Sequence, residues 1–236
     1  MAEPPDDDEG PLVLSSAALD ALKEFYVDRD ARQKQFEDLK AVAESGHDEA
    51  TASYKPLSME AFAEDWNESQ FWYSDDTAVA LAEELLAGAT VETTIAVVSA
   101  PSVFVQIKNL LAKEGKPEKE RPKISLLEFD KRFEVFPEFV FYDFKAPLKL
   151  PPALKGCATR VICDPPFLSE DCQTKAALTV RWLSKAWNTD DYRLIVCTGE
   201  RMESLINKLY RPAVGGSGGI KKVDEDSEED FRGRSF

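Results

Sequence analysis

The chain has 236 residues, 43% of them hydrophobic, and a formal net charge of −15 at pH 7. That is apolar material for one substantial domain with appendages. The acidity excludes the broad basic footprint with which nucleic-acid binders neutralise phosphates, and it suits a basic protein partner instead.

The N-terminus, MAEPPDDDEG, is acidic and is neither a secretory signal nor a transit peptide. No window reaches the roughly 18 apolar residues of a membrane span. A soluble, cytoplasmic protein without membrane contact is expected. Residues 1–13 read as disordered. Residues 14–57 read as an accessory helix and linker. The helix runs from Ser15 to about Glu44, with an apolar stripe at Leu19, Leu22 and Tyr26. The linker, SGHDEATASYKPL, follows it.

From Ser58 the pattern changes. SMEAFAEDW reads as a short helix, and DDTAVALAEELLAG as a longer one with acids in its first turn. TIAVVSA (94–100) is the first strand. A helix follows, with Pro101 at its first position. KISLLEFD (123–130), EFVFYDF (138–144) and TRVICD (159–164) are the next strands. A helix over LSEDCQTKAALTVRWLSKAW leads to YRLIVCTG (192–199), and ERMESLINKLY is helical. Strands alternating with helices predict an α/β fold, a parallel sheet with helices on both faces. Runs such as IAVV, VIC and LIVC are apolar throughout, as central parallel strands are.

The chemistry of such a sheet gathers at the carboxyl ends of its strands. One rim therefore carries VSAPS, LEFD, YDF, DPPF and CTG. Glu128 and Asp130 end the second strand, where a carboxylate can accept both hydroxyls of a ribose. The first strand end lacks G-x-G-x-x-G. Ser99, Ala100, Pro101 and Ser102 are small residues leading into a helix N-terminus, which suits a carboxylate better than a pyrophosphate. Asp143 and Phe144 are placed to receive an adenine amine and ring. These features together fit S-adenosylmethionine, a nucleoside joined to an amino acid.

In DPPF the two prolines stiffen the turn. Asp164 and the Pro165 carbonyl can each accept one N–H of an amine, and Phe167 can cover its face. Held so, the nitrogen lone pair points outward for attack on a methyl group, and the catalysis is positional. A plain rigid turn is the competing explanation. The single histidine, His47, lies in a polar segment and the four cysteines lack C-x-x-C spacing, so neither a Ser-His-Asp triad nor a metal centre is expected. Cys163 and Cys197 sit in apolar runs and read as reduced thiols.

DPPF after the fourth strand resembles the [N/D]PP[Y/F] motif of class I, S-adenosylmethionine-dependent amino-methyltransferases. The ordered blocks SQFWYS (69–74), VSAPSVF (98–104), EFDKRF (128–133), FVFYDF (139–144) and DPPFLSEDC (164–172) narrow the likeness. Together they resemble the eukaryotic elongation factor 1-alpha lysine methyltransferase family, formerly labelled N6-adenine DNA methyltransferase-like, over about residues 60–210. The resemblance implies a Rossmann-like methyltransferase domain over residues 58–210 and methylation of a lysine ε-amine on that factor; a monomer is expected. It implies an amine site at Asp164, Pro165 and Phe167, and cofactor contacts at Ser99–Ser102, Asp130 and Asp143. Trp72 and Tyr73 would lie near the cofactor or the lysine, with ordinary packing as the alternative.

One departure stands out. The family's sheet closes with an antiparallel hairpin, whereas residues 211–236 are Gly-rich and then acidic and read as a disordered tail. The hairpin is expected to be missing or replaced. An inactive binding module is therefore kept as an alternative, and the shared motif keeps N6-adenine or glutamine-N5 methylation as another.

Overall fold

The computed structural model describes residues 72–185 and 192–211, together with residues 56–59, residue 62 and scattered positions between 15 and 37. The expected disordered N-terminus, most of the linker and the tail from 212 onward, where the final hairpin would fall, lie outside the described residues.

Helix α1 (Asp75–Leu86) starts at Ser74, whose hydroxyl accepts the Thr77 amide, with Asp75 and Asp76 at the positive end of the helix dipole. Strand β1 (Thr94–Val98) leads into α2 (Pro101–Lys113). Strands β2 (Lys123–Glu128), β3 (Phe139–Phe141) and β4 (Arg160–Cys163) follow. Helix α3 (Glu170–Leu183), β5 (Arg193–Val196) and α4 (Glu203–Leu209) complete the core. The five strands form one parallel sheet in the order β3-β2-β1-β4-β5. This is the expected α/β, Rossmann-like architecture.

The uniform apolar runs follow from burial on both faces. In β1, Ile95 and Val97 point into one core layer with Leu85, Phe104 and Phe133, while Ala96 and Val98 point into the other with Ala177, Val180 and Leu183. The first layer has an aromatic centre: Phe62 stacks on Phe133 at 4.3 Å, and Phe104 meets Phe136 edge-on at 5.1 Å. Phe133 lies in a 3-10 turn, Lys131–Val135, to which the sequence reading gave no element.

Observed strands are shorter than the expected ones. β3 stops at Phe141 because Asp143 folds the chain back: its Oδ1 accepts the Lys145 amide at 2.8 Å and its carbonyl accepts the Ala146 amide. The front segment is anchored at Leu57, whose amide donates to Asn109 Oδ1 and whose carbonyl accepts from Asn109 Nδ2. In the N-terminal helix the expected stripe residues Leu19, Leu22 and Tyr26 are all exposed. No helix among the described residues is long and apolar enough to cross a membrane.

Arg160 is the buried cation of the core. Its Nη1 donates to the carbonyls of Leu85 and Ala87, at 2.6 and 2.9 Å. It thereby satisfies the C-terminus of α1, which has no basic residue in its own last turn. Arg160→Ala is expected to cost roughly 2–4 kcal/mol in urea unfolding, since it strands two carbonyls and opens a void.

Candidate active site

The strand order turns at β1 and β4, so the chain leaves their carboxyl ends in opposite directions and opens a crevice there. The Asp164 amide donates to the Val98 carbonyl at 3.0 Å, carrying the β1–β4 ladder one residue beyond the strand. Asp164 is thus delivered to the crevice. Pro165 behind it is buried, and Phe167 is 43% exposed on the rim.

The Asp164 carboxylate is not alone. Tyr73 Oη donates to its Oδ2 at 2.7 Å, and the Cys197 thiol stands beside both groups. Burial raises the Asp164 carboxyl to about 6, against the opposing pull of the Tyr73 hydrogen bond. Burial and the nearby carboxylate push the Tyr73 phenol far upward and the Cys197 thiol to about 12. Near neutral pH the cluster therefore holds one anion between two protonated neighbours.

The acids after β2 have separate environments. Glu128 is buried, and its Oε1 accepts the amides of Phe129 and Asp130 at 2.8 and 3.2 Å. Its other oxygen takes no hydrogen bond from the described residues. Burial raises this carboxyl to about 7. Asp130 instead caps the following turn: its Oδ1 accepts the Arg132 amide, and its Oδ2 binds the Arg132 guanidinium at 2.6–2.8 Å.

At the end of β1, Ser99 has φ of 54°, the left-handed region, while its amide donates to the Leu127 carbonyl. A non-glycine residue held there costs on the order of 1 kcal/mol and is found where a turn has a task. Ala100 caps α2 without a side-chain hydrogen bond, Pro101 occupies the first helical position, and Ser102 is buried behind it. The Val103 and Phe104 amides turn back onto the Ala100 carbonyl, and no side chain caps the start of α2. On the far side, Phe144 meets Phe167 edge-on at 5.6 Å, and the Lys175 ammonium lies 6.0 Å from the Phe144 ring. Asp143 is half-buried beside them, one oxygen held by the Lys145 amide.

The structure therefore brings together Asp164, Tyr73 and Cys197 in one cluster, and Phe144 with Phe167 in another. Trp72 points elsewhere. Its indole N–H donates to the Phe62 carbonyl at 2.8 Å and its ring packs edge-on against Phe133 in the core. Besides the Tyr73–Asp164–Cys197 cluster, two contacts along the rim were not foreseen from sequence. Gln173 Nε2 donates to the Phe167 carbonyl, and a Cβ on Gly199 would come within 2.9 Å of Leu168 Cδ1. Both lie next to segments already placed on the rim, so rim position was the available signal.

The donor set fits S-adenosylmethionine. An unshared carboxylate oxygen on Glu128 suits a diol, the start of α2, which no side chain caps, suits a carboxylate, and exposed Phe129 and Phe141, 5.5 Å apart, flank the β2–β3 rim.

Residues 64–228 match the family model described as probable N6-adenine methyltransferase. The chain is 43% identical over 213 residues to the protein-lysine N-methyltransferase EFM5 of Saccharomyces cerevisiae, covering 84% of this chain and 81% of that one. It is 38% identical to EEF1A lysine methyltransferase 1 of Homo sapiens, covering 86% and 82%. It is 31% identical to the protein-lysine N-methyltransferase CG9154 of Drosophila melanogaster, covering 84% and 81%. With such identities over most of each chain, and with the parallel sheet in place, the protein belongs to this family of lysine methyltransferases and is an enzyme.

Proposed function

We propose that this enzyme methylates a lysine ε-amine of elongation factor 1-alpha, using S-adenosylmethionine, as a cytoplasmic monomer. The observation that carries the reading is the Asp164 carboxylate at the β1–β4 crevice, oriented by Tyr73 and followed by the rigid Pro-Pro-Phe turn. The names of the relatives support the choice of protein substrate. The net charge of −15 supports a basic partner over DNA.

S-adenosylmethionine, when bound, supplies an electrophilic methyl group. Glu128 would hold its ribose hydroxyls in preference to Asp130, whose oxygens are engaged by Arg132. The start of α2 would hold its carboxylate, and Asp143 and Phe144 would border its adenine. Asp164 and the Pro165 carbonyl would accept the two N–H bonds of the lysine amine, with Phe167 over its face. A carboxyl near 6 is far too weak a base to deprotonate an ammonium of pKa about 10.4. Asp164 therefore orients the amine rather than acting as its general base.

This assigns Tyr73 a measurable role. Its phenol bond stabilises ionised Asp164, so Tyr73→Phe should move the acid limb of the kcat/KM profile to higher pH. Cofactor affinity should stay unchanged. An unmoved limb would remove Tyr73 from the amine site.

The function itself is tested by offering labelled S-adenosylmethionine with purified elongation factor 1-alpha or with DNA. Label is expected in the protein. Label in DNA alone would instead support N6-adenine methylation.

A further inference from the structure

Gln173 occupies the first turn of α3 and is fully buried. Its Nε2 donates to the Phe167 carbonyl at 3.0 Å, while its buried Oε1 has no hydrogen-bond partner among the described residues. An unmet buried acceptor is destabilising, and a methionine or leucine would fill much the same volume without it. Packing alone therefore does not account for an amide at this position.

The turn that Gln173 touches is short of backbone donors of its own. Pro165 and Pro166 contribute no N–H groups. Phe167 and Leu168 are both 43% exposed; Phe167 leans edge-on against Phe144, its backbone bonds to Cys172, and Leu168 lies beside Gly199. The turn is secured by the Asp164 amide at its start, and by Ser169 at its end, whose hydroxyl and carbonyl accept the Cys172 and Gln173 amides. Between those anchors the Gln173 side chain reaches the Phe167 carbonyl directly. A few tenths of an ångström at this carbonyl displace the ring that covers the amine, and positional catalysis is sensitive to such shifts.

We propose that Gln173 is a positioning residue that locks the Asp164–Phe167 turn through the Phe167 carbonyl, at some cost to stability. The proposal rests on the reading of that turn as the amine site.

Its test uses the full chain with Gln173→Met and, as a second variant, Gln173→Leu. Three quantities are measured: the melting temperature, amide hydrogen exchange across residues 164–169, and kcat with the dissociation constant for S-adenosylmethionine. Both variants should melt at or above the wild-type temperature. Exchange at Phe167 and Leu168 should rise about tenfold or more, while the sheet is unaffected. The kcat should fall about tenfold or more, with cofactor affinity within about twofold of wild type. Wild-type exchange or wild-type kcat in a folded variant would overturn the proposal. So would a lowered melting temperature in both variants, which would make the amide a structural group. If the wild-type enzyme itself leaves the factor unmethylated, the proposed substrate fails, and the exchange measurement still decides the role of Gln173.

Discussion

Asp164→Ala should lower methyl transfer by about a thousandfold or more while changing S-adenosylmethionine affinity by no more than about threefold. The carboxylate lies at the end of β4, and its partners Tyr73 and Cys197 come from the approach to α1 and the end of β5. No cofactor role falls to it in this account, so the loss belongs to kcat. The companion variant Asp164→Asn separates function from stability. Folding raises this carboxyl from 3.8 to about 6. The folded state thus binds the proton more tightly than the unfolded chain. The resulting stability is fully present below pH 4 and is lost as pH rises from about 4 to about 6. Above that range the ionised, desolvated group is a penalty of roughly 1–3 kcal/mol. Asp164→Asn keeps an acceptor for Tyr73 and removes the charge, so it should melt higher than wild type at pH 8 and show a shallower decline above pH 4. A lower melting temperature at pH 8 would mean that the carboxylate stabilises the fold. A substrate ammonium relieves the same penalty, which ties the strain at Asp164 to its proposed ligand.

Glu128→Gln should weaken S-adenosylmethionine binding by about 10–100-fold and leave kcat at saturation within about threefold. A charge-assisted hydrogen bond to a hydroxyl contributes about 1.5–3 kcal/mol, which sets that range. The amide can still accept the Phe129 and Asp130 amides that hold Glu128 Oε1, so the loop should keep its shape. The contrast is Asp130→Asn. It loosens the Arg132 pair and should leave cofactor affinity much closer to wild type. Calorimetric titration reads both, and equal losses in the two variants would return the ribose to Asp130. Folding raises Glu128 from 4.5 to about 7, so the sign of its stability effect matches that of Asp164. Stability from this group is lost as pH climbs from about 4.5 to about 7, and Glu128→Gln should melt higher at pH 8.

How much of this was legible in the sequence depends on the range of the interaction. The parallel sheet was visible because strands buried on both faces must be apolar at every position, as in IAVV and VIC. The crevice was visible because strand order and helix crossovers place all carboxyl ends on one rim. Asp164 was marked by its own neighbours, two prolines and an aromatic ring. The Tyr73–Asp164 bond joins residues 91 apart, and no local pattern encodes that pairing. The turn in which Phe133 sits was likewise hidden, because its aromatic residues answer to Phe62 and Phe104 rather than to a helical or strand period. Trp72 and Tyr73 are adjacent, yet one faces the core and the other the site. Only the backbone path through residues 72–74 separates them.

The central claim is that the Asp164 turn holds a protein lysine. The most direct test is intact-mass analysis and peptide mapping of purified elongation factor 1-alpha after incubation with this enzyme and S-adenosylmethionine. Wild-type enzyme should add one or more methyl groups to a lysine side chain, and Asp164→Ala should add none. Methylation at any other residue type, or unchanged lysine methylation by Asp164→Ala, would contradict the account.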